Sequence, residues 1–232
     1  MRRTRAAVVS ALGVGVVTVV AGCNPAPVTV QARQLAPISH GSVHRIAVLP
    51  FTASGDALRP PPPEPGQAAP VGAPADTVTL AVVTALERMP VWQIVDDAVT
   101  RDLFRRLYGE VRAPTPAEAL AVGKALGADA VLRGEVREYE ERVGTELAAK
   151  RAARVVFAVE LVRVPGGERL WQAEYAETQR ALSDNLWNLF GFLRAGGRWL
   201  RAHELAALGA EHVTGRLHRA LYGVTATPMP RA

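Results

Sequence analysis

One thiol, five histidines and 22 carboxylates are the groups of this 232-residue chain best suited to acting on a substrate or holding a metal. Most of them fail on spacing. His203-Glu204 begins like a zinc-protease helix, but Ala207 stands where the second histidine would be. His203, His212 and His218 share one predicted helix at separations of nine and six, which does not turn them to a common face. Gly123-Lys124 lacks the preceding glycine of a phosphate-binding loop, and no Gly-x-Ser-x-Gly elbow is present. Asp96-Asp97 and Glu140-Glu141 are adjacent, so their side chains diverge and read as surface charge. The expectation is a chain that is not an enzyme and has no cofactor, metal or small-molecule substrate.

That leaves Cys23. Arg2, Arg3 and Arg5 precede an apolar run from Ala6 to Val20, followed by Ala21, Gly22 and the thiol. A basic start, an apolar centre and small residues at the end are the layout of a secretory signal. About 15 apolar residues fall short of the roughly 20 a spanning helix needs. Val20-Ala21-Gly22-Cys23 resembles the bacterial lipobox. That resemblance implies cleavage after Gly22 and attachment of acyl chains at Cys23. It also implies a membrane partner through the lipid and, with Asn24 rather than Asp next, the periplasmic side of the outer membrane.

Without residues 1 to 22, three arginines are lost and 24 basic residues face 22 acidic ones, about +2. A basic stripe of the kind nucleic acid requires is therefore not expected. With its only cysteine acylated, the mature chain has no disulfide and must rest on its core.

The elements follow from apolar periodicity and punctuation. Residues 23 to 42 read as a tether. "RIAVLPF" (Arg45 to Phe51) is a continuously apolar, buried strand closed by Pro50. Residues 53 to 75 hold seven prolines and read as an extended loop. A helix from Asp76 to Met89 ends at Pro90, and Val91 to Asp96 is a second strand. Asp97 to Tyr108 is a helix with Val99, Leu103, Phe104 and Leu107 on its apolar side. Thr115, Pro116 and Glu118 spell a capping box for the next helix, which stops at Gly127. Three strands follow, about Ala128 to Val143, Ala153 to Val164 and Glu168 to Leu182, with Pro165 to Gly167 turning the last two. The alternating tail of the first puts one face in water. Two helices close the chain, the last from Arg198 to Tyr222 with Leu208, Val213, Leu217 and Leu221 on its apolar side, before a loose tail from 223 to 232. The fold class is α+β: a mixed sheet with a strand-helix-strand-helix beginning, an antiparallel three-strand meander and two C-terminal helices, forming a domain over 43–182 and a helical extension over 183–222.

Four phrases, "RIAVLPF", "VWQIVD", "GKALGADAVLRGEVREYE" and "VELVRVPGGERLWQAE", resemble the periplasmic domain of the curli-secretion (CsgG-like) lipoproteins. The resemblance covers about residues 43 to 175 and implies a lipid-anchored envelope protein, with an oligomeric secretion-channel subunit as the alternative. A membrane strand needs roughly 9 to 11 residues. The stretch "EERVGTELAAKRA" after Tyr139 is too short and too charged for a barrel hairpin, and about a dozen residues after Trp171 are also too few. The module without the channel is therefore expected: a binding or scaffold lipoprotein accessory to envelope assembly or export, with an envelope protein or a second copy as partner.

The segment "DNLWNLFGFLRAGGRWL" asks for such a contact. Leu186, Leu189, Phe190 and Leu193 form one side, with Trp187 and Phe192 outside it. A helix apolar nearly all round is buried or touches something apolar. Leu186, Trp187, Phe190, Phe192 and Leu193 are the candidate contact residues, against this protein's own core, an oligomer or the membrane interface.

Overall fold

The structure, a computed structural model, describes residues 29–39, 41–58, 65, 72–109, 112–179 and 198–223. Its strands are β1 (Thr29–Gln34), β2 (Arg45–Val48), β3 (Thr52–Ala53), β4 (Gln93–Ile94), β5 (Ala130–Glu140), β6 (Val143–Gly144), β7 (Ala149–Arg151), β8 (Arg154–Arg163) and β9 (Arg169–Thr178). The helices are α1 (Gly55–Leu58), α2 (Pro74–Glu87), α3 (Asp97–Tyr108), α4 (Pro116–Ala125) and α5 (Ala202–Tyr222). The fold is the expected α+β arrangement. A mixed sheet runs β1-β9-β8-β5-β2-β4, with β3 also on β5, and β6–β7 form a separate hairpin. β2 is parallel to β4 and to β5, so each pairing requires a crossover, supplied by α2 and by α3–α4. β5, β8 and β9 form the antiparallel meander.

Helices α2 and α5 pack on one face of the sheet; α3 and α4 pack on the other. This explains the continuous apolar run of β2. Ile46 and Val48 face the first layer and Ala47 and Leu49 the second, and all four are fully buried. Local chemistry starts and stops the helices. The Asp96 carboxylate accepts the N–H groups of Ala98 and Val99 at 2.8 and 3.1 Å. The Thr115 hydroxyl accepts the Glu118 N–H at 3.3 Å while Glu118 accepts that of Thr115 at 2.8 Å, completing the capping box.

Several boundaries differ from the sequence reading. Thr29–Gln34, inside the segment read as a tether, is an edge strand antiparallel to β9. The Val91-to-Asp96 strand shortens to two residues because only Arg45 and Ile46 pair with it. On α3 the buried stripe is Thr100 and Phe104, while Val99 and Leu107 are about half exposed. On α5, Leu205 rather than Leu208 joins Val213, Leu217 and Leu221, because the helix rolls its small residues Ala206, Gly209 and Ala210 against the sheet. The segment after Tyr139 forms the short β6–β7 hairpin. The first of the two expected C-terminal helices, residues 1–28 and the tail from 224 lie outside the described residues.

Glycine positions on α5 give a paired prediction. A Cβ at Gly209 would lie 2.6 Å from the Tyr175 ring, which is buried and fixed by its hydroxyl donating to the Leu205 carbonyl at 3.2 Å. Gly215 has open space. Gly215→Ala should therefore raise stability by about 0.5–1 kcal/mol through helix propensity. Gly209→Ala should lower it by about 1–3 kcal/mol despite the same propensity gain. Thermal melts of the two variants side by side check the difference in sign.

Candidate binding face

Helices α3 and α4 cover the second face only over β2 and the start of β5. Beyond them β5, β8, β9 and β1 present a bare surface, hollowed into a cavity of about 650 Å³. Strand pairing lines up its side chains. Arg33 of β1 stands opposite Gln172 of β9, Gln172 opposite Glu160 of β8, and Glu160 opposite Arg133 of β5. The neighbouring row is Gln31, Glu174, Ala158 and Glu135.

The charges are paired across strands. Arg133 Nε donates to Glu160 Oε2 at 2.7 Å, and Arg169 pairs with the other oxygen of Glu160. Arg137 donates to Glu174 at 2.7 Å and to Glu135 at 3.2 Å. It reaches both because Ala158, between the two glutamates, is small. The Ser54 side chain and then Arg137 hold the Glu135 carboxyl below the usual carboxylate range, against an opposing desolvation. Carboxylates held ionised by guanidinium groups are poor general acids. The face is suited to exchanging its ion pairs and amides with a polar partner.

Three groups that burial perturbs upward lie near the start of α5. Burial pushes the Tyr139 and Tyr175 hydroxyls and the Glu177 carboxyl up. Glu141, almost fully buried, accepts the Ala202 N–H at 3.3 Å at the helix N-terminus, where a negative charge is favoured. Glu204 is lowered to about 2 by Arg198 and by the Arg201 N–H it accepts. These carboxylates anchor a helix end.

Glu177 gives a pH prediction. Its folded pKa lies above the ordinary 4.5, so its ionised form is disfavoured in the folded state at neutral pH, and that cost vanishes below 4.5, where both states are protonated. Glu177→Gln should raise Tm at pH 7 and have its gain shrink to nothing as pH falls towards 4. Melting curves across that range check it.

The histidines are separated. His218 is buried in a ring cluster, 5.7 Å from Trp92 and 5.0 Å from Tyr222. His203 lines a groove between α2 and α5. Among the described residues no group of three His, Cys, Asp or Glu side chains is placed to hold a metal. Cys23, Leu186, Trp187, Phe190, Phe192 and Leu193 all lie outside the described residues. Sequence reasoning passed over the charged face as a site. Its signal was the period-two row Arg133, Glu135 in "LRGEVREYE", repeated by Gln172 and Glu174 in "WQAE".

No family model and no curated protein matches the sequence. Solved structures with similar folds include the PelC dodecamer from Paraburkholderia phytofirmans, at 15% identity and a TM-score of 0.45, covering 83% of this chain and 97% of that one. The lipoprotein GNA1162 from Neisseria meningitidis shows 17% identity and a TM-score of 0.42 over 66% of this chain and 91% of that one. The C-terminal domain of LpoB from Escherichia coli shows 17% identity and a TM-score of 0.37 over 59% and 83%. These are likenesses of general fold and carry nothing about activity. They correct the curli-secretion resemblance: the similar folds are PelC, GNA1162 and LpoB, and the curli-secretion family is not shown.

The phrases behind that resemblance have packing reasons of their own. Gly123 leaves room for Val131 and Val164, Gly127 takes a φ of 62°, and Gly134 lies under Phe51. The Asp129 carboxylate accepts the N–H groups of His44 and Arg45 at 2.9 and 2.8 Å, joining the starts of β2 and β5. Such demands belong to the packing of these strands and helices and do not by themselves imply a function.

Proposed function

We propose that this chain is a lipid-anchored, periplasm-facing protein of the bacterial envelope that works by binding, as an accessory or scaffold in envelope assembly or export, and not as an enzyme. The observation that carries the reading is the position of Cys23. It closes a signal-like segment, and only six positions separate it from Thr29, the first residue of the edge strand. Six residues span at most about 20 Å, so an acylated Cys23 would hold the sheet beside the bilayer. The open ion-paired face, with β1 at its margin, is the surface we assign to an envelope protein partner. Asn24 favours the outer membrane as the site of anchoring.

Intact mass spectrometry of the detergent-extracted protein tests this reading. The expected species begins at Cys23 and carries the added mass of a diacylglyceryl group, with or without a further acyl chain. An unmodified chain, or one retaining residues 1 to 22, would overturn it.

A further inference from the structure

Strand register brings three features to one end of the sheet. β1 begins opposite Ala176, near the end of β9. The ends of β9 and β5 lie at the same level, since Arg154 pairs with both Thr178 and Glu140. The β5–β8 connection, which contains the β6–β7 hairpin, therefore leaves the sheet at the end where the chain arrives from Cys23. The lateral offset from β1 to β5 is three strand spacings, about 15 Å.

The hairpin is built to hold its tip in place. Val143 and the neighbouring Ala153 are buried. The Thr145 N–H donates to the Ala148 carbonyl at 3.2 Å, and the Ala148 N–H to the Thr145 hydroxyl at 3.1 Å. The Trp199 N–H donates to the Glu146 carbonyl at 2.6 Å, and the Arg142 guanidinium donates to the Trp199 carbonyl, bracing the loop from the side. At the tip stands Leu147, 76% exposed, the most exposed large apolar side chain among the described residues. Lys150 and Arg151 flank it, both exposed, against one exposed acid, Glu146. No described helix is long and apolar enough to cross a membrane.

We infer that the β6–β7 hairpin is a second membrane contact, in which Leu147 enters the headgroup–acyl boundary and Lys150 and Arg151 meet anionic lipid. The inference rests on the lipid-anchored reading, because the acyl chains bring this end of the sheet to the bilayer. Once the body is tethered within about 20 Å, a contact too weak to hold a free protein is continuously occupied, since its second binding step is intramolecular. Two contacts would also orient the sheet end-on, leaving the ion-paired face turned sideways and accessible.

The test uses the full acylated chain in phosphatidylcholine–phosphatidylglycerol vesicles. With Cys23 acylated, an introduced cysteine is the single free thiol. An environment-sensitive fluorophore is placed at Leu147→Cys, or at Gly166→Cys in the β8–β9 turn at the opposite end of the sheet. Lipid carrying a quencher near the headgroup should quench the first at least ~2-fold more than the second, given a penetration of about 5–10 Å. Lys150→Glu with Arg151→Glu should reduce that quenching. A labelled chain that floats with the vesicles but shows equal quenching at both positions overturns the hairpin contact while the lipid anchor stands. A chain that does not float overturns the anchor, and with it the inference. Quenching unchanged by the two Glu substitutions overturns the role of anionic lipid.

Discussion

Cys23→Ser is expected to strip the protein of its fatty acid and make it extractable from membranes by alkaline carbonate, where the native chain resists. Each buried methylene contributes about 0.8 kcal/mol, so a single chain binds marginally and two or three bind firmly. The hydroxyl of serine cannot take the thioether-linked diacylglycerol that the lipobox resemblance implies. If the signal is left uncut, its apolar run of about 15 residues is shorter than the roughly 20 needed to span. Radiolabelled palmitate and carbonate extraction together read the outcome. Palmitate absent from the native chain, or a variant that remains carbonate-resistant, would make the apolar run the anchor and end the lipoprotein account.

Gly134→Val should strongly destabilise the described core. Gly134 lies in β5, a central strand with neighbours on both sides. A Cβ there would sit 2.3–2.5 Å from three atoms of the Phe51 ring. Phe51 has little room to retreat: it is buried, and its N–H donates to the Thr79 hydroxyl at 2.9 Å. That hydroxyl in turn donates to the Ala75 carbonyl at 2.7 Å, so the ring is tied through its backbone to α2. Overpacking costs about 1–3 kcal/mol and occasionally more, and a branched side chain against an immobile ring belongs at the upper end. A loss of about 3 kcal/mol would lower Tm by roughly 6–12 °C for a domain of this size. Phe51→Leu with Gly134→Ala should recover part of the loss, because the two sites share one space. A native melting temperature for Gly134→Val would mean that Phe51 does not rest on this glycine.

Much of the architecture was legible from local chemistry. The Ile46-to-Leu49 run announced a strand covered on both faces. The Thr115–Glu118 capping box was spelled out. The bare side of the meander was visible in the alternation after Arg133. Edge strand β1 was not: "TVQARQ" is short and mostly polar, and becomes a strand only by pairing with β9 more than a hundred residues later. The apolar sides of α3 and α5 were misjudged for a related reason. Apolar residues recur at helical spacing on more than one side of each, and only the packing partner decides which side is buried.

Sequence by itself determined that a lone thiol follows a signal-like segment, that the chain is an α+β domain, and that one side of its meander is polar. These follow from residue type and short-range spacing, which act through local backbone preference and the partition of side chains between water and core. Tertiary structure alone decided that Arg137 bridges Glu135 and Glu174, that Gly209 lies under Tyr175, and that the hairpin carrying Leu147 leaves the sheet at the end where β1 begins. Each depends on strand register and helix placement between segments far apart in the chain, and no local pattern carries that register.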